Sequence, residues 1–128
     1  MGWDIHLYVE KQNADGIWEN VICNPNMMGR DYDLFQELAG VPCDWNKEWT
    51  HTHELTESDV KSLSHVTQED IEGLHHLVMY TYREFAVMLP RIVSNIYSDE
   101  IFKFMVKVAS EIDETEEERC RIIIGFDS

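Results

Sequence analysis

The sequence predicts an α+β fold: a small antiparallel sheet, formed by an N-terminal β-hairpin plus a C-terminal strand, covered on one face by three to five helices. Three observations carry this expectation. The run Trp3-Asp4-Ile5-His6-Leu7-Tyr8-Val9-Glu10 alternates apolar and polar residues without a break. The chain closes on a second β-rich run, Arg119-Cys120-Arg121-Ile122-Ile123-Ile124-Gly125-Phe126. Between them, apolar residues recur at helical spacing behind sequences that cap helices.

The elements follow in order. A strand repeats every two residues, so Trp3, Ile5, Leu7 and Val9 share one face while Asp4, His6, Tyr8 and Glu10 share the other. Asp15-Gly16 is a hairpin-turn pair, and Ile17-Trp18-Glu19-Asn20-Val21-Ile22-Cys23 reads as the returning strand, ended by Asn24-Pro25-Asn26. Asp31 or Asp33 caps a short helix carrying Leu34, Phe35 and Leu38, with Gly40 as its C′ residue. Residues 41–55 are irregular and hold Pro42, Trp45, Trp49, His51 and His53. Thr56-Glu57-Ser58-Asp59 opens a short helix to about Leu63.

Thr67-Gln68-Glu69-Asp70 starts a longer helix, along which Ile71, Leu74, Val78, Phe85 and Met88 recur. His75 and His76 then lie within that helix and face different directions, and Pro90 kinks it or starts a new one. His65 falls in a loop at a helix end. Ser98-Asp99-Glu100 caps a last helix with Ile101, Phe104, Met105, Val108 and Ile112 on one face. Six acids among the eight residues from Glu111 to Glu118 make a solvated end.

At 128 residues the chain reads as a single domain, residues 1–128. Its 44% hydrophobic content places it with folded, not disordered, proteins. No apolar run approaches the ~18 residues of a membrane span, and the first residues lack the regions of a signal peptide. The expectation is a soluble, cytoplasmic protein. Cys23, Cys43 and Cys120 are scattered, without a Cys-x-x-Cys pair, which argues against a disulfide framework or a thiolate zinc site.

Ten basic against 25 acidic residues give a formal net charge of -15, spread along the chain. Such a field disfavours nucleic acid and anionic membranes, which are held by Lys and Arg. It suits a basic protein surface, and it is also the ordinary solubility charge of a small acidic protein.

If Ile5, Leu7 and Val9 face the helices, parity in the last strand buries Cys120, Ile122, Ile124 and Phe126. Arg121, Ile123, Gly125 and Asp127 then turn to the face of Asp4 and His6, and antiparallel pairing brings Asp127 towards Asp4. In extended backbone His51 and His53 point the same way. With Asp4, His6 or Asp127 nearby the set is adequate for zinc or manganese, although hydrogen-bonding or ligand-contact histidines are the commoner outcome. Trp45 and Trp49, with Arg30, Tyr32 and His51, suit stacking on a nucleobase-like ligand or plugging the end of a small core. No glycine-rich phosphate loop or nucleophile elbow is present.

The first strand, Gly16-Ile17-Trp18, Arg30-Asp31-Tyr32-Asp33-Leu34-Phe35, His51-Thr52-His53-Glu54-Leu55-Thr56 and Arg121-Ile122-Ile123-Ile124-Gly125-Phe126-Asp127 together resemble a family of small proteins encoded by bacteriophages and prophages. Residues 60–118 carry little of the resemblance. Where members have Val-Arg, this chain has Val41-Pro42, and a Ser-His-Ser-Trp-like segment is replaced by His51-Thr52-His53-Glu54. The resemblance implies a phage accessory protein, a class that includes many inhibitors of bacterial defence, in the cytoplasm of an infected host.

Three functions fit that implication. The first is a sponge that sequesters a nucleotide-derived immune signal, with Asp4, His6, Arg30, Tyr32, Trp45, Trp49, His51, His53 and Asp127 as ligand contacts. The second is an acidic inhibitor occupying the nucleic-acid groove of a host defence nuclease. The third is a metal-dependent phosphodiesterase or related hydrolase. The expected partner is a small nucleotide-like ligand or a host defence protein, with no direct nucleic-acid or membrane contact and room for a homo-oligomer. No cofactor is required; zinc or manganese is the only one the side chains suggest.

Overall fold

The alternating first strand and the isoleucine-rich last strand lie side by side at the centre of one sheet. The computed structural model describes residues 4–25, 32–40, 49–92, 103 and 118–127. Within them the chain runs β1 (Asp4–Gln12), β2 (Trp18–Pro25), α1 (Tyr32–Ala39), α2 (Glu57–Ser62), α3 (His65–Asp70), β3 (His75–Thr81), α4 (Tyr82–Ile92) and β4 (Cys120–Asp127). The sheet has the order β2-β1-β4-β3, and each neighbouring pair is antiparallel. This is the α+β architecture expected from the sequence.

The β1–β4 register sets His6 against Gly125, Tyr8 against Ile123 and Glu10 against Arg121. One face therefore carries Ile5, Leu7, Val9, Ile122, Ile124 and Phe126. Val78 and Tyr80 of β3 extend it, and Phe35 and Leu38 of α1 with Phe85 of α4 close over it. Phe35 meets Phe126 at 5.0 Å between ring centroids, tilted by 58°. The opposite face holds Tyr8 and Ile123 beneath Leu63 and Ile71, with Leu55, Val60, Leu74, Leu77 and Met79 packed around them. The helices thus divide between the two faces, with α2 and α3 on the side expected to face solvent.

That second layer needs Gly125. A Cβ there would stand 2.6 Å from Leu77 Cδ2 and 3.1 Å from Leu74 Cδ1, so the β3 side of the layer reaches the sheet because no side chain intervenes. Glu10 and Arg121, buried opposite each other, form the layer's polar centre.

The hairpin turn follows the sequence expectation. Asn13 Oδ1 accepts from the amides of Asp15 and Ile17, and Gly16 takes the left-handed φ of 80°. β2 continues past the expected stop to Pro25, paired with His6. β2 is the sheet's outer strand, where a missing N–H breaks no inner ladder. Gly40 follows α1 at φ 61°, donating its amide to Gln36 O, as a C′ glycine does. Thr56 caps α2 in a capping box with Asp59.

The long helix from Thr67 is corrected. Ser64, not Thr67, caps a six-residue α3, and Gly73 at φ 83° turns the chain into β3. His75 and His76 accordingly belong to a strand, and His65 to the first turn of α3. Ile71, Leu74 and Val78 fit helical spacing, but Leu77-Val78-Met79-Tyr80 is also a short apolar run that sends Val78 and Tyr80 to one core and Leu77 and Met79 to the other. The open edge of β4 rewards the extended form with a ladder that is continuous from Val78 to Thr81. A separate helix, α4, then starts at Tyr82 and contains Pro90 in its last turn. Trp3, Cys43, the helix opened by Ser98 except Lys103, and most of the acidic run from Glu111 lie outside the described residues.

Candidate functional site

The segment after Trp49 is drawn along the outer edge of β3. Leu55 N donates to Leu77 O, Met79 N donates to His53 O, and Glu54 bridges to Val78. This short addition covers the sheet edge and fixes His51 and His53 beside the β3–α4 junction. Their rings lie 5.6 Å apart and both line an open cleft of about 560 Å³. Tyr80, Thr81, Arg83 and Glu84 form its polar part, Val87 and Met88 an apolar wall, and Glu37 of α1 lies across from them.

His51 is locked. Its Nδ1 accepts the His53 amide at 3.0 Å, which leaves the proton of the neutral ring on Nε2, 3.4 Å from Tyr80 Oη. Tyr80 in turn donates to Leu38 O. Burial, and then the neighbouring His53, hold the His51 pKa below the ordinary imidazole value, with Glu54 opposing. Burial, followed by the nearby Glu84 charge, pushes the Tyr80 phenol up to about 12, so it stays a neutral donor.

The His53 ring lies against Tyr80 with 4.3 Å between centroids, tilted by 32°. Its Nε2 lies 2.7 Å from Glu84 Oε2, and its Nδ1 lies 3.1 Å from Thr52 Oγ1. Glu84 is held from its other oxygen: Thr81 N donates to Oε1, while Glu84 N donates to Thr81 Oγ1. This reciprocal pair is a capping box at the start of α4. The Thr81 amide is the main reason the Glu84 carboxyl titrates below its usual range; burial opposes it, and the contact with His53 adds to the lowering.

The expected Asp4–His6–Asp127 cluster forms, at a different place. Asp127 stands opposite Asp4 in register, and its Oδ2 lies 2.7 Å from His6 Nε2. None of the three lines the cleft. A row of rings runs between the two places. His51 stacks on Trp49 at 6.2 Å, Trp49 meets His76 edge-on at 4.8 Å, and His76 meets His75 at 5.0 Å. His75 in turn senses the charge of Asp127. His76 takes a φ of 52°, uncommon for a non-glycine residue, at an irregularity in the β3–β4 pairing.

Trp49 does not line the cleft; it is partly buried against the core and donates its indole N–H to Ala39 O. Tyr32 begins α1, and Arg30 and Trp45 lie outside the described residues. No group of three or more His, Cys, Asp or Glu side chains among the described residues is arranged to hold a metal ion. No described helix is long and apolar enough to cross a membrane.

Sequence reasoning missed Tyr80, Arg83 and Glu84. The signals were present: Thr81-Tyr82-Arg83-Glu84 has capping-box spacing, directly before the apolar Phe85 and Met88. Comparison of the chain with family models, with curated proteins and with solved structures returns no match.

Proposed function

We propose that the protein is a phage accessory protein that binds and sequesters a small nucleotide-derived signal of bacterial antiviral defence. The observation that carries this reading is the β3–α4 cleft. Its volume, about 560 Å³, falls within the ~300–1,000 Å³ usual for small-molecule sites. It joins an apolar wall of Val87 and Met88 to a few fixed polar groups, as such sites do. The guanidinium of Arg83, 3.9 Å from Glu118 Oε1 and largely exposed, offers donors to a phosphate, and the Val87–Met88 wall offers a base an apolar surface. Donors at hydrogen-bond range can hold an anion against the net charge of -15, because the wider field is screened within about 10 Å.

The acidic-inhibitor reading draws on that net charge but gives the cleft no role. The metal-dependent hydrolase draws on the histidines, which the described structure distributes between two places. Incubating purified protein with cyclic nucleotides and ADP-ribose derivatives separates the three. The sponge lowers the free concentration of one compound and returns it intact after denaturation. New products would indicate a hydrolase. Retention of none, together with salt-sensitive capture of a host nuclease, would transfer the assignment to the inhibitor.

A further inference from the structure

We propose that Thr52, His53 and Glu84 form a nucleophilic relay in which Thr52 Oγ1 attacks the carbonyl carbon of an activated ester entering the cleft. Hydrogen-bond polarity assigns each of the three its role. Glu84 is tied to the start of α4 by two bonds to Thr81, and as a carboxylate it can only accept. The 2.7 Å contact therefore places the proton on His53 Nε2. In the neutral ring Nδ1 is then a lone pair, and Thr52 Oγ1 at 3.1 Å is the group that donates to it. A hydroxyl donating to an imidazole whose far nitrogen is fixed by a carboxylate is the arrangement that activates serine and threonine nucleophiles.

His53 is held in this orientation by its ring contact with Tyr80 and by the hydrogen bond its backbone N–H donates to His51 Nδ1. Thr52 is exposed and lines the cleft beside the Val87–Met88 wall, which suits the apolar part of an acyl or aryl ester. In the step itself, the Thr52 Oγ–acyl bond forms as the hydroxyl proton passes to His53 Nδ1. The tetrahedral intermediate then expels the alcohol, which leaves with that proton. Water attacks the acyl-threonine in the second half, gives its proton to Nδ1, and Thr52 departs by recovering it. The products are one carboxylic acid and one alcohol, with no redox change.

This goes beyond sequestration, which requires the ligand to stay intact and asks nothing of Thr52. The test is intact-protein mass spectrometry after exposure to an alkyl fluorophosphonate, followed by peptide mapping. The expected result is one adduct per chain, formed with loss of fluoride and located on Thr52. Labelling should persist in Thr52→Ser, vanish in Thr52→Val, and slow by roughly 10²-fold in His53→Gln. Thermal melts of the two threonine variants, altered only at an exposed position, control for folding. No adduct in the folded wild-type protein, an adduct on another residue, or an unchanged rate in His53→Gln would overturn the proposal. None of these outcomes bears on whether the cleft retains a nucleotide.

Discussion

Glu10 Oε1 accepts two hydrogen bonds from Arg121, at 2.7 Å from Nη2 and 3.1 Å from Nε, inside the second layer of the sheet. The other carboxylate oxygen accepts from Ser64 N at 2.9 Å and Thr67 Oγ1 at 2.7 Å. Arg121 also donates to Ser62 Oγ and Ser62 O, and its guanidinium lies 3.9 Å from the Trp18 ring centroid. One ion pair thereby ties β1 and β4 to α2 and α3 and stacks against β2. Its polar atoms are satisfied, which is the condition under which a buried charge pair is tolerated.

Removing one partner leaves the other charged and buried. Arg121→Met is expected to lower the unfolding free energy by about 3–5 kcal/mol in urea denaturation. The double variant Glu10→Leu/Arg121→Met should lose less than the sum of the single losses, because it strands no charge. Equal, additive losses would show that the pair does not act as a unit.

Gly125→Ala tests the close approach of β3 residues to the sheet. The added methyl must displace Leu77 and Leu74, and the expected loss is about 1–3 kcal/mol. Leu77→Ala in the same chain should recover part of it by making space. Absence of any interaction between the two substitutions in a double-mutant cycle would contradict this packing.

The partly buried imidazoles give the fold a pH dependence of definite sign. Burial is the largest cause of the lowered pKa of His51, His75 and His76 relative to 6.5. The unfolded chain therefore takes up these protons first as pH falls. The contribution of the three is fully present above pH 6.5 and is lost as the pH falls through their lower folded values. Thermal midpoints recorded downward from pH 7.5 should decline through this window. His76→Asn should flatten the decline, and a residue tolerant of positive φ suits that position. A midpoint insensitive to pH in this range would contradict the placement of these rings.

Most of the sheet was legible in the sequence because period-two alternation has few competing explanations. Parity alone put Asp127 on the face of Asp4 and His6, and the 2.7 Å contact with His6 follows from it. β3 was not legible, since Ile71, Leu74 and Val78 satisfy a helix as well as they satisfy a turn and a strand. The choice is made by a long-range partner, the edge of β4, which local spacing does not report. Losing β3 also hid half the site. His51 and His53 were read as a pair pointing one way, whereas Tyr80, Arg83 and Glu84 enter the cleft only once a strand ends and a helix begins at Tyr82.

The cleft as a nucleotide-binding site is tested most directly by imidazole-resolved NMR during titration with cyclic dinucleotides and ADP-ribose derivatives. Resonances are assigned by single histidine substitution. A ligand of the cleft should shift the His53 ring most and the adjacent His51 ring less, while leaving His65 and the Asp127-paired His6 unmoved, and Arg83→Ala should weaken the effect. Saturating shifts at His6 or His65 with His53 unchanged, or no shift with any compound, would contradict the account.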